Sequence, residues 1–387
     1  MLPKVVVLTS TFPRWSGDAQ PRFVLELCQR LASDFSITVI APHAEGAAEY
    51  ERLEGIDVVR FRYAPSHREL LCYGSGMANN IRNHPWRILL LPGFLKAQAK
   101  ALRNELLKTN GPSVVHAHWL FPQGFVAAHV LRKNNIPLMV TAHGSDVLVL
   151  KGWFWKWLHR RTLSRVQCVT TVGPEVRRQL QKLVVDVEKL HLLPLGVDTE
   201  YFVPSDKARD CFSLLYVGRL VPEKGVHILI QACSLLLNSF PEGRLIIAGD
   251  GVERDSLINL VEYLGVGQQV EFVGWLDKSA LLELYQTATL CIAPSFSEGF
   301  CLAVAEAMAC GCPLIASDLP AFRYLDAGMD IITFSEAGKV KDLELAITSL
   351  INMVDKRMEM ATKGRKRILE LSAQAQATTY ASILKNI

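Results

Sequence analysis

Residues 290–317, LCIAPSFSEGFCLAVAEAMACGCPLIAS, hold the pattern that decides the fold. The apolar run Leu290–Ala293 predicts a buried strand, the alanine-rich stretch after Gly299 predicts a helix, and Leu314–Ala316 predicts a second strand. A strand, a helix and a further strand in this order form the unit of a parallel sheet that helices cover on both faces. The stretch therefore predicts an α/β fold.

The same alternation runs through most of the chain and is interrupted once. The further runs that predict strands are Val5–Leu8, Ile37–Ile40, Ile56–Arg60, Val114–His116, Leu138–Thr141, Cys168–Val172, Leu190–Pro194, Ser213–Val217, Leu245–Ala248, Val270–Val273 and Ile331–Thr333. The interruption is Leu195–Pro204, which is polar and rich in turn residues. We therefore predict two doubly wound, Rossmann-like parallel-sheet domains joined near residue 200. Ligands bind such sheets at the carboxyl ends of the strands, so two facing domains would form a cleft.

Composition excludes several protein classes. The chain has 387 residues, which is too long for a single hydrophobic core. Of these residues, 50% are hydrophobic and 21% are charged, a composition too apolar for a disordered protein. Its nine cysteines are odd in number and lie mostly in apolar runs, which favours buried, reduced thiols and a cytoplasmic location. We expect no signal peptide, and Ile88–Leu95, the longest apolar stretch, is too short to span a membrane.

Charge is divided unevenly along the chain. Residues 1–200 hold 25 Lys and Arg against 16 Asp and Glu, a net charge of +9, whereas the remainder has a net charge of −5. A basic half favours an anionic partner, although chance segregation of surface charge would give the same division.

The 290–317 stretch also carries a candidate ligand site. A helix that starts near Gly299 would direct the backbone amides of Gly299, Phe300, Cys301 and Leu302 at a phosphate. Glu298 and Glu306 are eight residues apart, about 12 Å along a helix, which suits the ribose and the sugar of a nucleotide sugar. The alternative is a surface helix with two solvated glutamates.

A second candidate site is Gly218–Gly225, GRLVPEKG, which follows a predicted strand. It places Arg219 and Lys224 on a strand-to-helix loop, where they could neutralise a diphosphate. It lacks the Ser or Thr of a Walker loop. The alternative is a basic surface turn.

The first half offers three cleft residues. Gly17 lies on the loop after the first predicted strand, and His118 and His143 follow two later ones. With no clear third ligand for a metal, we interpret His143 as a hydrogen-bonding group for a polar substrate; a buried, satisfied histidine is the alternative. No Asp-x-Asp pair occurs in the chain, so cations would have to neutralise a diphosphate without a metal.

An aromatic and basic cluster occupies residues 151–161. Such mixtures favour the headgroup layer of an anionic membrane. No nucleic-acid-binding module accompanies the cluster, so nucleic acid is not the expected partner. The alternative is a helix that packs its tryptophans into the core. The candidate membrane contacts are Trp153, Trp155, Trp157, Lys156, Arg160 and Arg161.

These segments together resemble the retaining glycosyltransferases of the GT-B fold, in the nucleotide-sugar family four. The resemblance rests on the Glu298-x7-Glu306 motif, GRLVPEKG, VVHAHW, TAHGSDV and the linker LGVDTEYFVP. It implies that Arg219 and Lys224 hold the diphosphate, that Glu306 binds the ribose, and that Glu298 with the Gly299–Leu302 amides contacts the donor sugar and its phosphate. It further implies that His143 contacts sugar hydroxyls and that Gly17 lies against the diphosphate.

The resemblance also implies an acceptor domain at 1–203, a donor domain at 204–370 and a final helix, 371–387, that returns to the first domain. Three departures stand out: a single Gly17 where relatives carry a glycine pair, Cys301 where glycine is usual, and no tryptophan in the returning segment. The expected activity is metal-independent transfer of a hexosyl unit from a nucleoside diphosphate sugar to a glycan or glycolipid acceptor. The alternatives are a nucleotide-sugar epimerase and a non-catalytic, membrane-associated sugar-nucleotide binder.

Overall fold

A computed structural model describes residues 2–18, 20–74, 76–108, 111–183, 186–206, 209 and 212–387. The chain divides into two compact units. Unit 1 comprises Met1–Pro194 with Gln374–Ile387, and unit 2 comprises Leu195–Ala373. Each unit is a doubly wound α/β domain, so the predicted fold class is confirmed.

Unit 1 contains one eight-stranded sheet. Its strands are Lys4–Leu8 (β1), Ser36–Pro42 (β2), Tyr50–Leu53 (β3), Ile56–Phe61 (β4), Val114–His118 (β5), Leu138–Ala142 (β6), Cys168–Thr171 (β7) and Leu190–Leu192 (β8). Their order is β3-β4-β2-β1-β5-β6-β7-β8, and only β3 is antiparallel to its neighbour. Strand β3 is absent from the predicted strands. It joins β4 through Glu54 and Gly55, whose φ angles of 48° and 90° match the tight turns that connect hairpins.

Helices cover both faces of this sheet. In unit 1 they are Phe23–Leu31 (α1), Met77–Asn83 (α2), Leu91–Leu106 (α3), Phe125–Val130 (α4), Trp153–Leu163 (α5) and Pro174–Gln181 (α6). The step from β1 to β2 runs toward one edge of the sheet, whereas the steps from β4 through β5 to β8 run toward the other edge. Because the crossovers are right-handed, α3 to α6 lie on the face opposite α1. The core agrees: Phe94 of α3 and Leu163 of α5 share one apolar cluster, whereas Leu25 of α1 belongs to another.

Unit 2 contains a fully parallel six-stranded sheet. Its strands are Ser213–Val217 (β9), Arg244–Ala248 (β10), Val270–Gly274 (β11), Leu290–Ala293 (β12), Leu314–Ser317 (β13) and Ile332–Ser335 (β14), in the order β11-β10-β9-β12-β13-β14. Its helices are Val226–Leu237 (α7), Arg254–Tyr263 (α8), Lys278–Thr287 (α9), Leu302–Ala309 (α10), Pro320–Asp326 (α11), Val340–Asn352 (α12) and Val354–Leu369 (α13). The strand order reverses between β9 and β12, which is where open α/β sheets bind ligands.

The interruption near residue 200 belongs to unit 2. The predicted first domain extends to 203, but the guanidinium of Arg365 donates to the carbonyl oxygens of Phe202 and Thr199, at 2.8 and 2.9 Å. The Phe202 ring also packs edge-on against Tyr285, with 5.9 Å between ring centroids. These contacts hold Thr199 and Phe202 in unit 2, which begins at Leu195.

The last helix, Ala373–Asn386 (α14), lies mostly in unit 1. Tyr380 and Leu384 are buried in the same apolar cluster as α1. The Tyr380 hydroxyl lies 3.1 Å from Thr141 Oγ1 and 3.2 Å from Thr170 Oγ1, on β6 and β7. The end of the chain therefore forms part of the core of unit 1.

The thiols are reduced in the structure. The eight cysteines that it describes are free, and Cys301 is the one among them that is partly exposed. Cys211, which the sequence analysis grouped with them, lies outside the described residues. None of the helices in the described part of the chain combines the length and hydropathy needed to cross a bilayer.

Candidate active site

Two loops meet at the switch point of unit 2: the cation loop, residues 218–225, after β9, and the glutamate loop, residues 294–301, after β12. Gly225 has a φ of 65°, and a Cβ there would lie 2.3 Å from the carbonyl oxygen of Pro294. Only glycine fits such an approach. The amide of Phe296 also donates to the carbonyl oxygen of Glu223 at 2.9 Å. The backbones of the two loops are therefore fastened together.

This contact brings two predicted donor residues into an ion pair. Lys224 Nζ lies 2.5 Å from Glu298 Oε1, and Ser295 Oγ donates to the same oxygen at 2.8 Å. The Glu298 side chain is only 7% exposed. Burial disfavours the charged ammonium, but the charge of Glu298 and its hydrogen bond outweigh burial and raise the pKa of Lys224 above its usual value. The site therefore holds a permanent cation at neutral pH.

Arg219 is exposed at the start of the cation loop. A neighbouring loop supports that backbone: a Cβ on Gly249 would lie 1.9 Å from the carbonyl oxygen of Gly218, and one on Gly251 would lie 2.2 Å from that of Leu220. The two glycines of Gly249-Asp-Gly251 therefore allow their loop to pack closely against the backbone on either side of Arg219.

Helix α10 begins later than the sequence analysis predicts. Cys301 has a φ of 75°, a left-handed conformation that turns the chain, and the helix starts at Leu302. Of the four predicted amides, only that of Leu302 belongs to the first turn; Gly299 and Phe300 precede it, and the Phe300 side chain is buried. Glu298 therefore lies on a loop, and the helical spacing of about 12 Å predicted between the glutamates does not apply.

Glu306 lies on α10 with a partner that the sequence analysis missed. The hydroxyl of Tyr285 on α9 donates to Glu306 Oε2 at 3.0 Å, and Tyr285 is fully buried. Burial and the adjacent carboxylate raise the pKa of Tyr285 well above its usual value, so its hydroxyl stays a donor. A lone tyrosine on a predicted helix gave no signal of this contact, because the two residues are 21 positions apart.

In unit 1, a pair of histidines lies where β5 and β6 end: His118 is the last residue of β5, and His143 follows β6. His118 Nδ1 and His143 Nε2 are 2.9 Å apart. The His143 ring lies 4.4 Å from that of Trp119 and 5.2 Å from that of Phe23. Burial lowers the pKa of His143 to about 3, and that of His118 well below its usual value, so both rings are neutral at physiological pH.

A buried carboxylate fixes the loop that carries His143. Asp146 accepts hydrogen bonds from the backbone amides of Leu120 at 2.7 Å, Gly144 at 3.0 Å and His143 at 3.2 Å. Burial raises its pKa to about 6, and the amides oppose that shift. Asp146 thus ties the ends of β5 and β6 together.

Gly17 lies at the same sheet edge, on the loop after β1. It is exposed, with a φ of 81°, and a Cβ there would meet nothing within 4 Å. The loop is closed by Arg14, whose guanidinium pairs with Asp18 at 2.7 Å. Across the residues that the structure describes, no group of three or more His, Cys, Asp or Glu side chains could hold a metal ion.

The tryptophan cluster forms α5, and its outer face is exposed. Trp153 is 81% exposed and Trp157 51%, with Arg161 stacked 5.8 Å from the Trp157 ring. Lys156 and Arg160 are exposed as well. The core-packing alternative therefore does not hold for these two tryptophans.

Trp155, which the sequence analysis grouped with them, points inward. Its ring lies 5.1 Å from that of Phe121 and is partly buried. Phe154, 48% exposed, lies on the outer side instead, because successive residues of a helix are about 100° apart, so that Trp155 points away from Trp153 and Trp157.

Comparisons with known proteins agree with this architecture. The family model "Glycosyl transferases group 1" matches residues 197–367, and "Glycosyltransferase Family 4" matches residues 20–201. Glycogen synthase of Mycobacterium tuberculosis is 31% identical over 248 residues, which cover 60% of this chain and 59% of that protein. The chain thus spans about three-fifths of the length of this curated relative.

Solved structures match over the full length. Sucrose-phosphate synthase from Thermosynechococcus elongatus has a TM-score of 0.81 at 20% identity, covering 99% of this chain and 98% of that one. Anabaena HepE in complex with UDP-glucose has a TM-score of 0.73 at 16% identity, covering 99% and 100%. With two GT-B-type domains and family models matched in both halves, the chain belongs to the family 4 glycosyltransferases of the group 1 type.

Proposed function

We propose that the protein transfers a hexosyl unit from a nucleoside diphosphate sugar to an acceptor hydroxyl. The observation that carries the proposal is the fastened pair of loops at the switch point of unit 2, which presents Lys224, Glu298 and Arg219 beside the start of α10. A diphosphate needs cations and amide donors, and vicinal hydroxyls suit carboxylates. The UDP-glucose complex of the Anabaena protein supports this class of donor.

Each predicted residue has a role in this proposal. Arg219, Lys224 and the Leu302 amide neutralise the diphosphate, and Gly17 allows close approach of a backbone. Glu306 binds the ribose hydroxyls, and Glu298 orients the donor sugar. His143, a neutral imidazole, donates or accepts one hydrogen bond with a sugar hydroxyl. The remaining loop amides, Gly299, Phe300 and Cys301, line the same turn.

We propose that the reaction retains the anomeric configuration and needs no metal. Glu298 is paired with Lys224, and Glu306 with Tyr285, so neither carboxylate is placed as a free nucleophile. The bond from the anomeric carbon to the phosphate oxygen breaks, the bond to the acceptor oxygen forms on the same face, and the acceptor proton passes to the leaving phosphate. Catalysis then rests on stabilising the diphosphate and on positioning the acceptor.

The proposed acceptor is lipid-linked, a glycolipid or a related membrane glycan, and the protein works at the cytoplasmic face of an anionic membrane. The exposed Trp153, Phe154 and Trp157, together with Lys156 and Arg160, suit the headgroup layer. The free thiols suit a reducing compartment.

A panel of UDP-, GDP- and ADP-sugars without acceptor tests the donor assignment. We expect slow hydrolysis of one donor to its nucleoside diphosphate, unaffected by EDTA. Epimerised sugar would instead favour an epimerase, and binding without turnover would favour a non-catalytic binder. Loss of activity in EDTA would contradict the metal-free mechanism. With a glycolipid acceptor, NMR of the product should show the anomeric configuration of the donor.

The hydrogen bond from Tyr285 to Glu306 gives a second expectation. We expect Tyr285→Phe to weaken binding of the preferred nucleoside diphosphate about fivefold, because losing one hydrogen bond to a carboxylate costs roughly 1 kcal/mol or more. Binding of the 2′,3′-dideoxy nucleotide should not change, since it lacks the hydroxyls that Glu306 binds. Calorimetry measures both, with the exposed Tyr263→Phe as control. An equal loss for the two nucleotides would mean that Tyr285 acts on the fold alone.

A further inference from the structure

A second exposed apolar segment lies outside the predicted membrane contacts. Residues 85–90, PWRILL, form a short 3-10 turn just before α3. Trp86 is 50% exposed, Ile88 52% and Leu89 77%. Part of this segment belongs to the apolar stretch Ile88–Leu95, which is too short to span a membrane. Three large apolar side chains in one exposed turn are typical of an interaction surface.

Topology places this segment on the same side of unit 1 as the outer face of α5. Both α3 and α5 run back from the carboxyl edge of the sheet, so residues 85–90 and Trp153 lie at that edge. Both helices cover the same face, with α4 packed between them. Helices pack 8–10 Å apart, so the two segments are separated by roughly 20 Å. His143, directly after β6, lies at the same edge.

The stretch of chain that contains both segments exposes charges of one sign. Residues 70–174 contain thirteen Lys and Arg but only two acidic residues, Glu105 and Asp146. All of these charged residues are described, and both acids are buried, at 2% exposure. Glu105 pairs with Lys4 at 3.0 Å, and Asp146 is held by backbone amides. Every exposed charge between 70 and 174 is therefore positive.

The first acidic residue after position 174 already has partners. Glu175, at the start of α6, pairs with Arg178 at 2.9 Å and accepts a hydrogen bond from Gln179 at 2.7 Å. The cationic region is therefore bounded by a neutralised carboxylate.

We propose that residues 85–90 and the outer face of α5 form one two-point surface that docks on an anionic lipid bilayer. The proposal rests on the membrane part of the proposed function and extends it. Each point inserts aromatic and aliphatic side chains between headgroups, while the surrounding cations attract anionic lipids. Two points fix the tilt of unit 1, which a single helix would leave free. The carboxyl edge that carries His143 then faces the bilayer, where a lipid-linked acceptor hydroxyl would lie.

Co-sedimentation of the full-length protein with vesicles tests this surface. The vesicles are phosphatidylcholine alone or mixed with phosphatidylglycerol. One variant is Trp86→Ser with Leu89→Ser, and the other is Trp153→Ser with Trp157→Ser. The matched control, Tyr263→Ser with Leu345→Ser, removes an exposed aromatic and an exposed leucine from unit 2. Unchanged binding of nucleoside diphosphate and an unchanged melting temperature show that each variant folds.

We expect each unit 1 variant to bind the mixed vesicles at least roughly tenfold more weakly than wild type, because it loses the apolar area of two large side chains. The control should bind like wild type. If only the α5 variant loses binding, the two-point surface is wrong and the proposed membrane function stands. If wild type binds neither kind of vesicle yet hydrolyses a nucleotide sugar, both membrane statements are wrong and glycosyl transfer stands. Equal binding of all variants to a soluble polyanion such as heparin, with none to vesicles, would identify a polyanion partner and overturn the surface.

Discussion

The Lys224→Ala variant is expected to bind a nucleoside diphosphate about 10- to 150-fold more weakly than wild type, because it loses a charge-assisted contact of about 1.5–3 kcal/mol. The loss should lie toward the upper end of that range. Glu298, 7% exposed, would then face the incoming diphosphate without its cation and would repel it. Titration calorimetry measures the change. Lys341→Ala, which removes an exposed and paired lysine from the same unit, is the matched control.

A double variant separates the two roles of Lys224. In Lys224→Ala with Glu298→Gln, the repulsion is gone but the lysine is still missing. We expect this protein to remain about tenfold weaker than wild type, because the diphosphate contact itself is lost. Full recovery would show that Lys224 only neutralises Glu298, and would remove it from the donor site.

The second large effect is a loss of stability in mild acid. His116, His118 and His143 all have their pKa lowered by burial, His116 and His143 to about 3. Unfolding exposes them and restores a pKa near 6.5. Between these values the unfolded chain binds more protons than the folded one, so the free energy of unfolding should fall as pH falls below 6.5. Each histidine contributes about 1.4 kcal/mol per pH unit, and Asp146, whose pKa burial raises to about 6, offsets part of this total below pH 6.

Urea unfolding at several pH values measures this slope. Tryptophan fluorescence reports mainly on unit 1, which contains every tryptophan except Trp275. We expect His116→Phe to lower the slope by about 1.4 kcal/mol per pH unit, since one buried histidine no longer titrates. The exposed His129→Asn should leave it unchanged. A wild-type stability that does not depend on pH between 5 and 6.5 would contradict the neutral state of these histidines.

Local pattern predicted much of the fold and of the donor site. Each strand, glycine turn and helix of unit 2 is contiguous in sequence, so the periodicity placed the loops of Lys224 and Glu298 at one sheet edge. The pairing of these residues follows from the order of the strands, which a single sequence does not contain. The left-handed turn at Cys301 was hidden as well, because a cysteine carries no signal for that conformation.

Contacts between distant positions account for part of the rest, as in the pair of Tyr285 and Glu306, which are joined across two helices. Strand β3 was missed for a local reason, because its hairpin turn needs a positive φ at Glu54, and a glutamate carries no signal for that conformation. The aromatic cluster was visible, but its rotation on the helix was not: Trp155, a predicted membrane contact, faces inward, and Phe154, which was not among the predicted contacts, is exposed. Nor does composition tell whether an apolar run such as Trp86–Leu89 is buried, because that depends on which elements cover it.

The position of α14 bears on how the protein is synthesised. Tyr380 and Leu384 complete the core that begins with β1 and α1. A ribosome makes them only after all of unit 2 has been translated. During translation the first domain therefore lacks part of its core, whereas residues 195–373 can fold as soon as they leave the ribosome. The domain whose synthesis starts first is the last to be finished, and chaperones would meet it in that unfinished form.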